Sequence, residues 1–221
     1  MHNHNIRKFK QAQIDKVASE FKEGLTALEK YPLSVTFFGS ARFKPDHPSY
    51  KQAESIAYRI VKETKYAIVT GGGPGIMEAA NKGAHDANGK SVGMTIALPQ
   101  EQKNNLYLDK EVHFQYFFTR KAILNFSAEA YIFFPGGFGT LDELFTVLTL
   151  IQTKKIPQIP VILMGVEFWR PLKHVITQVL RDQYETISKE DVEIFRITDD
   201  EEEVLNTIRN APVNGWWAQV D

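Results

Sequence analysis

Apolar residues at intervals of three and four mark the first element. Ile14, Val17, Phe21, Leu25 and Leu28 repeat this way between lysines and glutamates, which predicts an amphipathic helix over residues 11–30. The pattern then switches to short, nearly continuous apolar runs at 33–38, 66–70, 92–97, 130–134 and 160–164, as expected of strands covered on both faces. A short alternating segment, 112–116, reads as one more strand. Between the runs the helical period returns. His47-Pro48-Ser49 opens a helix carrying Ala53, Ile56, Ala57, Ile60 and Val61, and further helices are expected over 76–87, from Thr119 as a cap, over 141–152 and near 171–181. A last one is expected from Thr198-Asp199-Asp200-Glu201, which has capping-box spacing. Strands alternating with helices predict an α/β fold: a Rossmann-like, mostly parallel sheet with helices on both faces. We expect an N-terminal helical extension, residues 1–30, and one nucleotide-binding domain, residues 31–221, with no repeat or linker between elements.

Three of the strands run into glycine, and in sheets of this kind ligands bind beyond the carboxyl ends of the strands. Gly39 and Ser40 follow the first strand, where they would offer backbone and hydroxyl donors to a ligand; an ordinary surface loop is the competing reading. Gly71-Gly72-Gly73-Pro74-Gly75 follows the second. Glu78, at the start of the next helix, would repel a phosphate, so Gly72, Gly73 and Glu78 are expected to meet a ribose hydroxyl or a base. After the strand at 130–134 comes Pro135-Gly136-Gly137-Phe138-Gly139-Thr140 and then a helix. Such a junction aims unpaired backbone N–H groups and the positive end of the helix dipole at one spot, and a phosphate fits there against Gly136, Gly137, Gly139 and Thr140. The competing reading is a well-made turn in which Thr140 and Glu143 form a capping box and satisfy the helix by themselves. Arg120 and Lys121 pose a different question: they stand near a helix start, where cations oppose the dipole. A solvated pair explains them, and so does a site.

Other chemistries fit poorly. Ile76 stands where the third glycine of the dinucleotide fingerprint belongs, which disfavours NAD. Gly89-Lys90-Ser91 resembles the end of a P-loop, but position 84 is Ala and a strand follows rather than a helix. The absence of cysteine removes disulfides, thiolate metal sites and a Cys nucleophile, and no metal or cofactor is expected. A net charge of −1, without a Lys/Arg run, argues against duplex nucleic acid as a partner. No stretch approaches 18 consecutive apolar residues and the polar start lacks a signal-peptide core, so no membrane association is expected and the chain reads as cytoplasmic.

The wording Pro-Gly-Gly-x-Gly-Thr-x-x-Glu resembles the signature of the cytokinin riboside 5'-monophosphate phosphoribohydrolases, the LONELY GUY family, long labelled putative lysine decarboxylases. The resemblance spans residues 35–165. It implies hydrolysis of the N-glycosidic bond of a nucleoside 5'-monophosphate, AMP or a cytokinin riboside monophosphate, to free base and ribose 5-phosphate. Carried onto this sequence, it makes Arg120 and Glu143 catalytic, places Lys121 in the substrate site, and implies a homodimer and a role in cytokinin biosynthesis. The reaction builds positive charge on the sugar and negative charge on the departing base, so an anion near the ribose and a donor near the base are what it needs. Glu143, ionised at neutral pH if its pKa is unperturbed, supplies the first; Arg120 supplies the second as a hydrogen-bond donor, not a proton source. The family usually carries Met-His-x-Arg-Lys; here Phe117-Phe118 precede Thr119-Arg120-Lys121, a departure that bears on base preference rather than reaction class. Lys121 beside Arg120 gives no sign of the Schiff-base arrangement that PLP-dependent decarboxylation requires. The competing function is a non-catalytic nucleotide or molybdenum-cofactor carrier of the same fold. The apolar helix 141–152 is a candidate subunit interface, and Trp216 and Trp217 must pack somewhere, on this domain or a neighbour.

Overall fold

The computed structural model describes residues 2–97, 104–126 and 128–213; the expected positions of Trp216 and Trp217, and of Pro99 and Gln100 in the polar connection, lie outside the described residues. Seven strands form one sheet: β1 (Ser34–Phe38), β2 (Ala67–Thr70), β3 (Ser91–Ile96), β4 (Lys110–Phe114), β5 (Ala130–Phe133), β6 (Val161–Met164) and β7 (Phe195–Thr198). Their order is β4-β3-β2-β1-β5-β6-β7 and every pairing is parallel. The chain moves outward from β1 to β4, then returns to place β5 on the other side of β1. The order therefore reverses between β1 and β5, the place where sheets of this class open a crevice at their carboxyl edge.

Alternate side chains of each strand serve different cores. On one face Val35, Phe37, Ile68, Ile132 and Ile162 pack under α2 (Pro48–Thr64), α3 (Ile76–Asp86) and α7 (Glu201–Asn210). On the other, Val69, Met94, Tyr131, Phe133 and Leu163 pack under α1 (His2–Leu28), α4 (Phe117–Asn125), α5 (Phe138–Gln152) and α6 (Val166–His174). That two-sided burial is why the strands read as continuous apolar runs rather than alternating ones.

Some boundaries differ from those the periodicity predicts. α1 starts at His2, well before the first apolar repeat, and only its last turns are covered: Leu28 and Ala27 are buried, Ile14 is half exposed, and Gly24 lets Ile123 of α4 come close. The helix expected at 171–181 begins at Val166, keeps Pro171 in its interior, and continues past His174 as a wider π-helical coil to Gln183. The periodicity does not predict β7, because a four-residue edge strand carrying Arg196 has no long apolar run. α2 does begin as expected: Pro48 is at its first turn and His47 caps it, Nδ1 accepting from the Ser49 N–H at 3.1 Å. The last helix is instead capped by Asp200, which accepts from the Glu202 and Glu203 N–H groups; Thr198 belongs to β7 and donates its hydroxyl to Glu203.

α3 lies close on α2 because small residues, among them Ala53, Ala57, Ala80 and Ala84, fill the crossing. At its centre a Cβ on Gly83 would overlap the Glu54 carbonyl oxygen and press on the Tyr58 backbone. Overpacking against backbone cannot be relieved by a rotamer change, so Gly83→Ala should cost about 2 kcal/mol. A thermal melt lowered by roughly 4–8 °C is the expected reading; an unchanged melt contradicts this account of the α2–α3 contact.

Candidate active site

The three glycine loops meet at the β1–β5 crevice and are joined through one residue. The Ser40 N–H donates to the Pro135 carbonyl at 3.0 Å, and the Ser40 carbonyl accepts from the Ile76 N–H at 3.0 Å. The loop after β1 is thus hydrogen-bonded to the loop after β5 on one side and to the first turn of α3 on the other. This changes the expected part of Ser40. Its backbone N–H is committed inside the protein and its Oγ accepts from the Arg42 N–H at 3.1 Å, so the hydroxyl hydrogen is what remains to offer. Gly39 is needed for packing, since a Cβ there would stand 2.7 Å from Ile76. Gly75 has φ of +72° and its Cβ position is filled by the Ser40 carbonyl, so both conformation and space require glycine.

The second loop is clamped from within. Gly72 has φ of +71°; its N–H donates to Thr70 Oγ1 at 2.9 Å and its carbonyl accepts from the Asn105 N–H at 2.9 Å. Asn105 Nδ2 reaches the Gly73 carbonyl at 3.1 Å and Asn81 Oδ1 at 3.0 Å, while Thr70 donates to the same oxygen at 2.6 Å. Gly72 and Gly73 therefore shape the edge of the crevice and spend these backbone groups on Asn105 and Thr70. Asn105, part of a polar connection in the sequence, is the buried residue that fixes this loop. Glu78 is partly buried in the first turn of α3 and accepts a hydrogen bond from the Tyr50 hydroxyl at 2.9 Å.

The third loop is built to stay open. α5 begins at Phe138 with Gly137 as its extended N-cap, and no side chain caps it among the described residues. The capping box expected from Thr140 and Glu143 does not form. Phe138 and Gly139 are already helical, so Thr140 is the third residue of the helix and Glu143 lies a full turn further in. A Cβ on Gly136 would overlap the Thr140 hydroxyl, whereas Gly137 and Gly139 face empty space within 4 Å. The helix N-terminus thus presents backbone N–H groups and its positive dipole end to an open cleft.

Arg120 and Glu143 lie beneath that cleft. The Arg120 guanidinium rests on Gly71, where a Cβ would overlap it, and Nε donates to the Met94 carbonyl at the end of β3 at 2.7 Å. Burial lowers the Arg120 pKa from its ordinary value, opposed by the negative charge of Glu143. Glu143 is 8% exposed, and its Oε2 has no hydrogen-bond partner among the described residues. Burial pushes its pKa up to about 7, against the pull of Arg120 and Lys121, with Asp142 adding a smaller upward push. The expectation of an ordinary, fully ionised Glu143 is corrected: near neutrality it is shared between acid and carboxylate. Lys121, expected in the substrate site, pairs with Asp142 and touches Thr146 Oγ1 at 3.4 Å. Phe117 and Phe118 are exposed on the first turn of α4, and Phe138 is exposed at the mouth of the α5 loop.

The family described as possible lysine decarboxylase matches residues 77–208, more than half of the chain. The chain belongs to this family, the LONELY GUY family. A curated relative is the cytokinin riboside 5'-monophosphate phosphoribohydrolase of Rhodococcoides fascians, 32% identical over 146 residues that cover 64% of this chain and 72% of that protein. Among solved structures, the structural-genomics target TM1055 superposes with a TM-score of 0.60 at 24% identity, covering 80% of this chain and 98% of that one. The molybdenum cofactor carrier protein of Chlamydomonas reinhardtii superposes with a TM-score of 0.59 at 18% identity, covering 81% and 98%. At such identities the likeness shows the shared Rossmann-like fold.

A raised carboxyl pKa is a statement about stability. Well below pH 4.5 Glu143 is neutral in both folded and unfolded chains and costs nothing; as the pH rises from about 4.5 to about 7 the unfolded chain ionises it while the folded protein keeps it neutral, so a cost builds up across that window to about 3 kcal/mol and is constant above it. Glu143→Gln removes that cost. Its melting temperature should exceed that of the natural protein by several degrees at about pH 8, with the gap nearly closed at about pH 4. A gap that does not change with pH contradicts the burial of an ionisable carboxyl at 143.

Proposed function

We propose that this protein hydrolyses the N-glycosidic bond of a nucleoside 5'-monophosphate, AMP or a cytokinin riboside monophosphate, releasing free base and ribose 5-phosphate. The observation that carries the reading is the buried carboxylate of Glu143, its Oε2 without a hydrogen-bond partner among the described residues, lying with Arg120 beneath an uncapped helix N-terminus. The activity named for the Rhodococcoides fascians relative supports it. In this reading the phosphate takes the α5 N-terminus, where the open positions at Gly137 and Gly139 let it reach the backbone N–H groups. The hydroxyls of Ser40 and Thr140 complete that end of the site. Gly72, Gly73 and Glu78 border the ribose.

Cleavage breaks the bond between the sugar's anomeric carbon and the base nitrogen, the base leaves with the electron pair, a water oxygen bonds to the carbon, and the proton that this water gives up ends on the base. The ring passes through a cationic state. Glu143 in its ionised form stabilises that state, and the site's low polarity strengthens the effect. Arg120 donates a hydrogen bond to the departing base, its orientation fixed by the Met94 carbonyl. Lys121, paired with Asp142, belongs to the wall of the site and adds positive potential at Glu143. Phe117 and Phe118 replace the family's Met-His pair ahead of Arg120 and offer flat apolar surface to a base.

A phosphate-binding carrier is the alternative, and the fold shared with molybdenum cofactor carriers raises it. Glu143 speaks against it. A buried carboxylate beside a phosphate costs binding energy and helps only when positive charge develops nearby. Glu143→Gln separates the two: base release from AMP should fall at least about a hundredfold while AMP binding is kept. Unchanged turnover removes Glu143 from the mechanism, and no turnover in either protein with intact AMP binding favours a carrier.

The working form of Glu143 is the ionised one, and its pKa is pushed to about 7. The kcat/KM for base release should therefore fall tenfold per pH unit below about 7 and level off above it. A profile flat from about pH 5 to 8 contradicts this role.

We also propose that the protein works as a homodimer. Leu144, Val147 and Ile151 of α5 are buried in the domain, but Phe138 is 93% and Phe145 41% exposed on its outer face. Light scattering should give twice the mass of 25.2 kDa; a monomer contradicts it.

A further inference from the structure

Two cations near a helix N-terminus are a conflict that the sequence does not resolve, and the resolution lies about a hundred residues away. α4 has Tyr116 as an extended N-cap with no side-chain cap of its own. The carboxylate of Glu20, from the middle of α1, comes to that end instead. Glu20 Oε1 accepts from the Gln115 N–H at 2.8 Å, Oε2 accepts from the Tyr116 N–H at 3.4 Å, and Oε2 accepts from the Thr119 hydroxyl at 2.6 Å. Glu20 is 2% exposed, and its one ion-pair contact among the described residues is Lys16 at 3.9 Å. Thr119, expected as the cap, is the third residue of α4, and its one hydroxyl hydrogen is shared between Glu20 Oε2 and the Tyr116 carbonyl, whose oxygen lies at 2.8 Å.

This cap bears directly on Arg120. The Arg120 N–H closes the first turn of α4 on the Tyr116 carbonyl, the residue whose own N–H Glu20 accepts from. Thr119, the residue before Arg120, is held through its side chain by the same carboxylate. One turn below, Gly24 of α1 lets Ile123 of α4 approach closely, where any Cβ would stand 2.6 Å from Cγ1. The first turn of α4 is therefore fixed by α1 at one end and by the bond from Arg120 Nε to the Met94 carbonyl at the other. An anion at this place also offsets the unfavourable pairing of the helix dipole with Arg120 and Lys121.

We propose that Glu20 is a positioning residue for Arg120, so that the N-terminal helix, outside the stretch that resembles the family, is part of what makes the site competent. The functional half of this proposal rests on the phosphoribohydrolase reading; the structural half does not. Among the described residues, the hydrogen bonds of Glu20 all go to the two residues before α4 and to its first turn, and none to the α5 loop proposed to hold the phosphate. Its loss should therefore act on the step that uses Arg120 and leave binding of the monophosphate in place.

Two measurements on the full chain test it, at a temperature where every variant is folded by circular dichroism. In protein labelled with ¹⁵N-arginine, the Arg120 Nε–H, shielded by its bond to Met94, should exchange slowly in the natural protein and at least about tenfold faster in Glu20→Gln. Unchanged exchange overturns the proposal whatever the protein's activity. In base release from AMP, Glu20→Gln should lower kcat about tenfold with KM changed less than about threefold, and should have less than about a twofold effect on top of Arg120→Lys. Equal effects in both backgrounds make Glu20 a general stabiliser and overturn it. If the natural protein releases no base, the function proposed above fails, while the exchange measurement still decides whether Glu20 positions Arg120.

Discussion

Two hydrogen bonds of Ser40 hold the ligand-facing edge of this protein together, its N–H reaching Pro135 and its carbonyl reached by Ile76. They matter because parallel strands end in loops that would otherwise diverge, and a cleft assembled from three independent loops would not keep its shape. Joined through one residue, the loops after β1 and β5 and the start of α3 become a single rim. Gly136 and Gly75 make the joins possible by leaving room for Thr140 and for the Ser40 carbonyl. The uncapped start of α5 is then presented at a fixed place over the crevice between β1 and β5.

Beneath the rim the structure keeps an arrangement that opposes its stability. Glu143 is buried with one oxygen unpartnered among the described residues, and Arg120 is partly buried with its charge only partly compensated. A core selected only for stability would replace both with apolar side chains of similar volume, a change that is often neutral or favourable. The presence of such groups at the carboxyl edge of a parallel sheet, next to an open helix N-terminus, is what separates a site from a well-capped turn. The same contrast separates Gly72, whose N–H and carbonyl are bonded to Thr70 and Asn105, and Gly73, whose carbonyl is held by Asn105, from Gly137 and Gly139, which face open space.

The local features are legible in the sequence because they are written locally. Apolar runs mark five of the seven strands and an alternating segment marks β4, the glycine clusters mark the loops that do lie on one edge, and Pro-Gly-Gly-x-Gly-Thr-x-x-Glu marks the α5 junction. Features that depend on the third dimension are not legible there. The capping box of Thr140 and Glu143 has the correct spacing, but Gly137 starts the helix three residues earlier and turns Glu143 inward. Asn105 looks like any polar loop residue until β2 and α3 come to surround it. Glu20 reads as one solvated charge among several on α1, and only the packing of α1 on α4 brings it to Thr119, 99 positions away. The pKa of Glu143 likewise follows from burial, which no motif records.

Family membership and the shared fold set the frame, and the site's central claim is chemical: a monophosphate is held by the α5 N-terminus while Glu143 and Arg120 act on its glycosidic bond. Chromatography of the protein incubated with AMP, and in parallel with adenosine, tests that claim most directly. Adenine released from AMP and none from adenosine is the predicted result, because without the phosphate nothing anchors the sugar over Glu143. Equal release from both contradicts the assignment of the α5 loop, and release from neither contradicts the proposed reaction.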